Sequence, residues 1–173
     1  MRKLTMAMLA LAAVVSVSGT KEASAQSVMG IGIGGGVAMP MGDFGDAFKM
    51  GFGGGAGLFV YPSGSRIGLR AEVGYLTFDD DLGLDIKAEP LTVMGSILVP
   101  LTTGSSATPY LLGGAGILSD DGSALAFQGG LGVSIGTGPT RFFIEGKYLT
   151  SSKDDFTTSF IPLMAGVSFR FGQ

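Results

Sequence analysis

Four charged residues stand at spacings that a β-strand would turn to one side. Arg70 and Glu72 are separated by a single residue, and so are Glu145 and Lys147. Side chains in a strand repeat every two residues, so each pair shares a face. Two acids and two bases on facing strands have two chemical uses: they move protons, or they neutralise one another away from water. Proton transfer near neutral pH usually relies on imidazole, and nucleophilic attack on a thiolate or a hydroxyl beside a base. The sequence has no His and no Cys. A Ser-Lys or carboxylate pair would have to serve instead, yet Glu72 and Glu145 are the only acids inside alternating apolar segments. Ion pairing suits them better than catalysis, because an unpaired charge in such a place costs several kcal/mol. An enzyme is not expected, nor any cofactor or metal.

The elements that must hold these charges are strands. With 31 Gly and 7 Pro and no long run of helix formers, the composition points to an all-β chain. Turn signals cut it into eight segments: Val28 to Ala38, Met50 to Tyr61, Arg66 to Phe78, Leu91 to Pro100, Thr108 to Leu118, Ala124 to Gly136, Arg141 to Thr150 and Phe160 to Phe171. Each has roughly the length of a tilted membrane-crossing strand. In the last, Ile161, Leu163, Ala165, Val167, Phe169 and Phe171 form a wholly apolar face, opposite Pro162, Met164, Gly166, Ser168 and Arg170. In the third, Ile67, Leu69, Ala71, Val73 and Tyr75 oppose Arg66, Gly68, Arg70, Glu72 and Gly74; the sixth and seventh alternate likewise. Such a pattern fits a soluble barrel with an apolar core, or a transmembrane barrel with lipid outside and a polar interior.

Three further signals favour the membrane. Arg2 and Lys3, an apolar run from Leu4 to Val17 and the sequence Ala23-Ser24-Ala25 read as a secretory signal peptide over residues 1–25, leaving 26–173 as one barrel domain. The connections then alternate in charge. Three hold only Ser, Thr, Gly, Pro and apolar residues, whereas the other four hold every Asp in the chain, with Glu89. Among these are Asp79, Asp80, Asp81, Asp85, Asp120, Asp121, Asp154 and Asp155. Acids thus collect at one end of the strands, and Arg66, Arg141 and Arg170 lie toward the other. Aromatic residues fall near both ends, as the two interfacial girdles of a membrane barrel would: Phe52, Tyr75, Phe78, Phe127, Tyr148 and Phe160 near the acids, with Tyr61, Tyr110, Phe142, Phe169 and Phe171 opposite.

PYLLGGAG from Pro109, RFFIEGKY from Arg141 and the closing IPLMAGVSFRF from Ile161 together resemble the eight-stranded outer-membrane β-barrel domain family, of the OmpA/OmpX-like size class. The resemblance covers the chain beyond the signal segment. It implies an antiparallel up-and-down transmembrane barrel in the cell outer membrane of a Gram-negative envelope, both termini periplasmic and the acidic loops outside. It also implies that the barrel-assembly machinery reads the final strand through its closing aromatic residue; here Phe171 precedes Gly172 and Gln173.

In such a barrel the third and seventh strands face each other, with Arg70 level with Glu145 and Glu72 level with Lys147. These four, joined by Gln128, are expected to close the lumen to ions; the alternative is that each charge is solvated separately. Glycines at 30, 32, 34 and 36 and at 53, 55 and 57 make a wall without side chains, facing room that Tyr110, Leu112 and Gln128 could fill. The G-x-G-x-x-G match in GIGIGG has strand period and precedes no helix, so it is no dinucleotide signal. The run Asp79-Asp80-Asp81 lacks the alternating spacing of a calcium loop and reads as a solvated rim. Membrane lipid and lipopolysaccharide, bridged through divalent ions, are the expected partners. A net charge of −3 argues against nucleic acid, and a monomer is expected. The role expected is structural or surface-interacting and non-catalytic; a narrow, porin-like channel or transporter for small or hydrophobic solutes is the competing reading.

Overall fold

Each alternating segment forms a strand that pairs with its neighbour along the chain. The computed structural model describes residues 27–81, 86–120, 122–153 and 156–171. The signal segment, and Asp85, Asp121, Asp154 and Asp155, lie outside the described residues. The elements run β1 (Val28–Met41), α1 (Asp43–Ala47), β2 (Gly51–Tyr61), β3 (Gly68–Asp79), β4 (Lys87–Ala88), β5 (Leu91–Pro100), β6 (Ala107–Ser119), β7 (Ser123–Ile135), β8 (Thr140–Lys153) and β9 (Phe156–Phe171).

Seven antiparallel pairings follow chain order, with the two-residue β4 lying only beside the end of β3. An eighth pairing, β1 with β9 from Met29↔Phe171 to Met41↔Ser159, closes the ring. The fold is thus the expected closed, eight-stranded, antiparallel up-and-down barrel. Closure leaves no long strand edge unpaired, the one arrangement of sheet that hydrocarbon tolerates.

Exposure is inverted relative to a soluble protein. Ile33, Leu131 and Phe142 on the outer face are 57%, 64% and 62% exposed, while Glu145 inside is 3% exposed. Ile31, Leu69, Ile97, Leu111, Ile117, Ile144 and Leu163 continue the apolar belt around the wall. A patch of this extent on a water-soluble monomer would be an association surface. Phe52, Tyr75, Phe127 and Tyr148 stand in the outer face toward the acidic end, with Phe142, Phe169 and Phe171 toward the other. The girdles are smaller than expected, because Phe78, Phe160, Tyr61 and Tyr110 turn inward. Phe78 and Phe160 are fully buried, and Tyr61 and Tyr110 pack with Leu98, Leu112 and Phe59. One residue of parity separates the two fates.

The acidic end is more structured than its composition suggests. Instead of a plain loop after β1, Gly42 turns the chain in a left-handed conformation (φ 58°) and α1 follows, with the Gly45 N–H donating to the Gly42 carbonyl at 2.7 Å. Phe44 on α1 is buried and anchors the turn. Asp79 is not in a turn but ends β3, where it pairs with Lys87 of β4. β8 and β9 run past Thr150 and start before Phe160, with Ser151 opposite Thr158 and Ser152 opposite Thr157. Hydroxyl bonds from Tyr148 and between Thr150 and Ser159, at 3.0 and 2.9 Å, tie that extension together. Pro162, the third residue of the segment read from sequence as Phe160 to Phe171, therefore sits well inside β9. The β8–β9 ladder lapses between Gly146↔Leu163 and Leu149↔Phe160, across the position that lacks an N–H.

If the outer face meets acyl chains, a charge there is penalised by depth. Ile33→Arg, at the middle of β1, should cost about 2–4 kcal/mol of unfolding free energy in lipid vesicles, and Leu125→Arg, near the acidic end, about 0–1. Urea unfolding of both variants checks this; equal costs would place the belt outside the bilayer.

Candidate functional site: the barrel lumen

The barrel is narrow enough for side chains from opposite walls to touch, and strand parity decides which ones do. Arg70 and Glu72 project inward from β3, Glu145 and Lys147 from β8, Gln128 from β7 and Ser96 from β5. Arg70 grips Glu145 through two parallel bonds, Nη1 to Oε2 at 2.7 Å and Nη2 to Oε1 at 2.9 Å. Its Nη2 also lies 2.9 Å from Glu72 Oε2. Lys147 Nζ donates to Glu72 Oε1 at 2.6 Å and lies 3.5 Å from Glu145 Oε1. Gln128 Nε2 donates to Glu72 Oε1 and to Ser96 Oγ, both at 2.7 Å, and the Tyr110 hydroxyl donates to Glu145 Oε2 at 2.8 Å.

Two cations and two anions therefore balance within one hydrogen-bonded unit. The forked geometry of Arg70 on Glu145 is the strongest contact available to such groups. The five residues singled out from strand spacing all come together here. Ser96 joins them unforeseen, and Tyr110, expected to fill the room facing the glycine wall, joins them too. Inward parity is readable for both, but no pattern says how far a side chain will reach.

Above this unit, toward the acidic end, lies an apolar layer of Phe44, Leu76, Phe78, Met94, Leu118, Leu149 and Phe160, with Phe48 packed against it. The Phe44 and Phe78 rings meet edge to face at 5.1 Å, and Phe78 and Phe160 lie 5.4 Å apart. Strand parity gives most of this layer; Phe44 comes from a segment with no strand pattern at all. Below the charges sit Leu98, Leu112 and Tyr110, with Phe59 and Tyr61.

The glycine wall is covered by other residues than those expected. Phe143 from β8 lies across it: a Cβ on Gly166 would fall 2.6 Å from Phe143 Cζ, and one on Gly34 2.9 Å from the same atom. Phe59 stands against Gly30. Tyr110 and Gln128 are instead held by the charge network, and Leu112 by its own cluster. A cavity of about 580 Å³ remains, lined by Gly32, Gly34, Gly55 and Gly57 on one side and by the charged residues on the other.

The three basic residues of the opposite end separate in role. Arg66 is exposed beside the β2–β3 turn. Arg141 is buried: its Nε donates to Ser134 Oγ at 2.9 Å, and its Nη2 to Thr108 Oγ1 and the Ser134 carbonyl at 3.1 and 3.0 Å. Arg170 projects inward from β9. At the acidic rim, Asp79 and Asp81 make exposed ion pairs with Lys87 and Lys49 at 3.1 and 3.5 Å, and the Glu89 N–H donates to Asp120. No group of three or more potential metal ligands occurs among the described residues.

A closed antiparallel ring with an apolar exterior and mutually neutralised charges inside is a transmembrane β-barrel. The model of the outer membrane protein beta-barrel domain matches residues 7–169, and the chain belongs to that family, which places it in the outer membrane. Among solved structures it resembles Neisserial surface protein A, with a TM-score of 0.64 and 16% identity over 84% of this chain and 97% of that one. It also resembles a major outer membrane protein of Thermus thermophilus (TM-score 0.53, 14% identity, 84% and 99% covered). The attachment invasion locus protein Ail of Yersinia pestis is similar too (TM-score 0.52, 18% identity, 86% and 100% covered). At these identities the likeness is one of fold. A search of curated protein sequences returns no match.

Removing Glu145 leaves Arg70 and Lys147 to share Glu72. Glu145→Ala should lower unfolding free energy by about 3–5 kcal/mol, as loss of one partner of a buried pair does. Replacing Arg70 and Glu145 together by Met and Leu should cost less than the sum of the single changes. The fraction of folded band on unheated gels across a urea series reads both; additive losses would show that the two groups are not coupled.

Proposed function

We propose that the protein is a non-catalytic, integral component of the outer membrane whose barrel is closed to solutes and whose acidic rim meets the headgroup layer outside. The observation that carries the reading is the doubled obstruction of the lumen. The Arg70, Glu72, Glu145, Lys147 and Gln128 unit crosses it, and the Phe44, Phe78 and Phe160 layer covers it toward the acidic end. Catalysis finds no support in the lumen, where each acid is committed to a cation.

At the rim, the exposed carboxylates of Asp79 and Asp81 suit bridging through divalent ions to lipopolysaccharide phosphates, the partner expected from sequence. β9, whose pairing with β1 seals the ring, is the strand that the assembly machinery would read. Nothing in this reading requires a second copy of the chain. Residues 1–25 serve it as an export signal removed from the mature barrel.

The 580 Å³ cavity favours one competing reading, a narrow conduit along the glycine wall, since its lining runs from Thr103 at the basic end to Phe160 of the apolar layer. Planar-bilayer recording from refolded protein separates the two. A closed barrel gives no discrete current steps, and Phe44→Ala combined with Glu145→Ala gives brief ones. Discrete steps from the unaltered protein would overturn closure and establish the conduit.

A further inference from the structure

The basic end of the lumen holds cations that no carboxylate among the described residues pairs with. Arg141 and Arg170 project into the same space from adjacent strands. Arg141 is opposite Ser168 in the β8–β9 register, so Arg170 is its diagonal neighbour on the inner face. Like charges at that separation repel. Arg141 is only 6% exposed, and its hydrogen-bond acceptors are all neutral: a serine hydroxyl, a threonine hydroxyl and a carbonyl.

Arg170 Nε is buried and has no acceptor among the described residues. Two other buried polar atoms share that condition, Arg70 Nε and Gln128 Oε1, but each belongs to a side chain otherwise tied into the charge network. The nearest inward carboxylates, Glu72 and Glu145, are already matched by Arg70 and Lys147. Arg66 lines the same cavity from its rim, as do Ser105 and Thr108. Three guanidinium groups and a set of hydroxyls thus surround the basic end of a 580 Å³ space, and the acids among its described lining residues, Glu72 and Glu145, belong to the charge network farther in.

We propose that this basic vestibule is a binding site for a small oxyanion of the phosphate class, free or carried as a monoester, seated between Arg141 and Arg170 with Arg66 at the entrance. Guanidinium groups present paired donors that match the oxygens of phosphate. The 580 Å³ space they line is larger than such an ion, and burial strengthens the attraction relative to water. In the family frame the vestibule faces the periplasm, so its ligand comes from that side. The site does not depend on whether the lumen above it conducts.

The test uses refolded full-length barrel in zwitterionic, phosphate-free detergent micelles, with the Arg Nε–H resonances followed by NMR. Inorganic phosphate and glycerol 3-phosphate are titrated in separate arms. The expected result is a saturable shift of the Arg170 and Arg141 signals but not of Arg70, weakened at least about tenfold in Arg170→Gln and unchanged in the rim variant Lys49→Gln. Saturation in both arms assigns a phosphate monoester site, and saturation with inorganic phosphate alone assigns the free ion. A linear, non-saturating response in the unaltered protein would overturn the proposal without recourse to any variant. So would an Arg170→Gln barrel that folds, by its gel shift on heating, and binds as tightly as the parent.

Discussion

A sheet in hydrocarbon has no water to take up the N–H and C=O groups at its edges, so β1 must find β9. Everything else in this molecule follows from that closure. Once the ring is sealed with eight strands, its two faces meet different solvents, and strand parity sorts every residue into one or the other. Apolar positions such as Ile33, Leu131 and Phe142 go to the acyl chains, and the positions between them go to a lumen barely wider than its own side chains. Charges placed there have no bulk water to screen them. The forked Arg70–Glu145 contact and the Lys147–Glu72 contact across the ring are how the interior remains electrically balanced.

The interior is layered along the barrel axis: apolar rings beneath the acidic rim, then the neutralised charges, then a second apolar group, then the arginines Arg141 and Arg170. The glycines of β1, β2 and β9 make this layering asymmetric. They let the tip of the Phe143 ring reach the wall at Gly34 and Gly166 and leave the remaining space open beside it. Closure of the outer end depends on Phe44, a residue outside the strands, packing onto Phe78 and Phe160 from within.

Period-two alternation carries most of the fold, because a lipid-facing strand must keep one face apolar over its whole span, and that demand leaves a long trace in β3, β7, β8 and β9. Opposition of Arg70 and Glu145 is legible the same way, since eight strands fix which walls face each other. Reach is not. Whether Tyr110 or Phe143 covers a glycine depends on rotamers and on competition for Glu145, and neither leaves a mark in spacing. Short-range structure at the acidic end is hidden for a related reason. The anchor of α1 is a single buried ring, and β4 is held by two register pairs with β3, so neither is long enough to show a period. Nearness to an interface, taken without parity, assigns Phe78 and Phe160 wrongly to the girdle.

The sequence contains no Trp, so one introduced indole reports its own surroundings without background. The most direct test of the inverted barrel places Trp at Leu163, mid-strand on the outer face of β9, or at Tyr61, on the inner face of β2, in vesicles whose acyl chains carry bromine. A barrel with lipid outside gives strong quenching for Leu163→Trp and little for Tyr61→Trp. Fluorescence from Leu163→Trp that brominated chains leave untouched, with quenching at Tyr61→Trp instead, would contradict it.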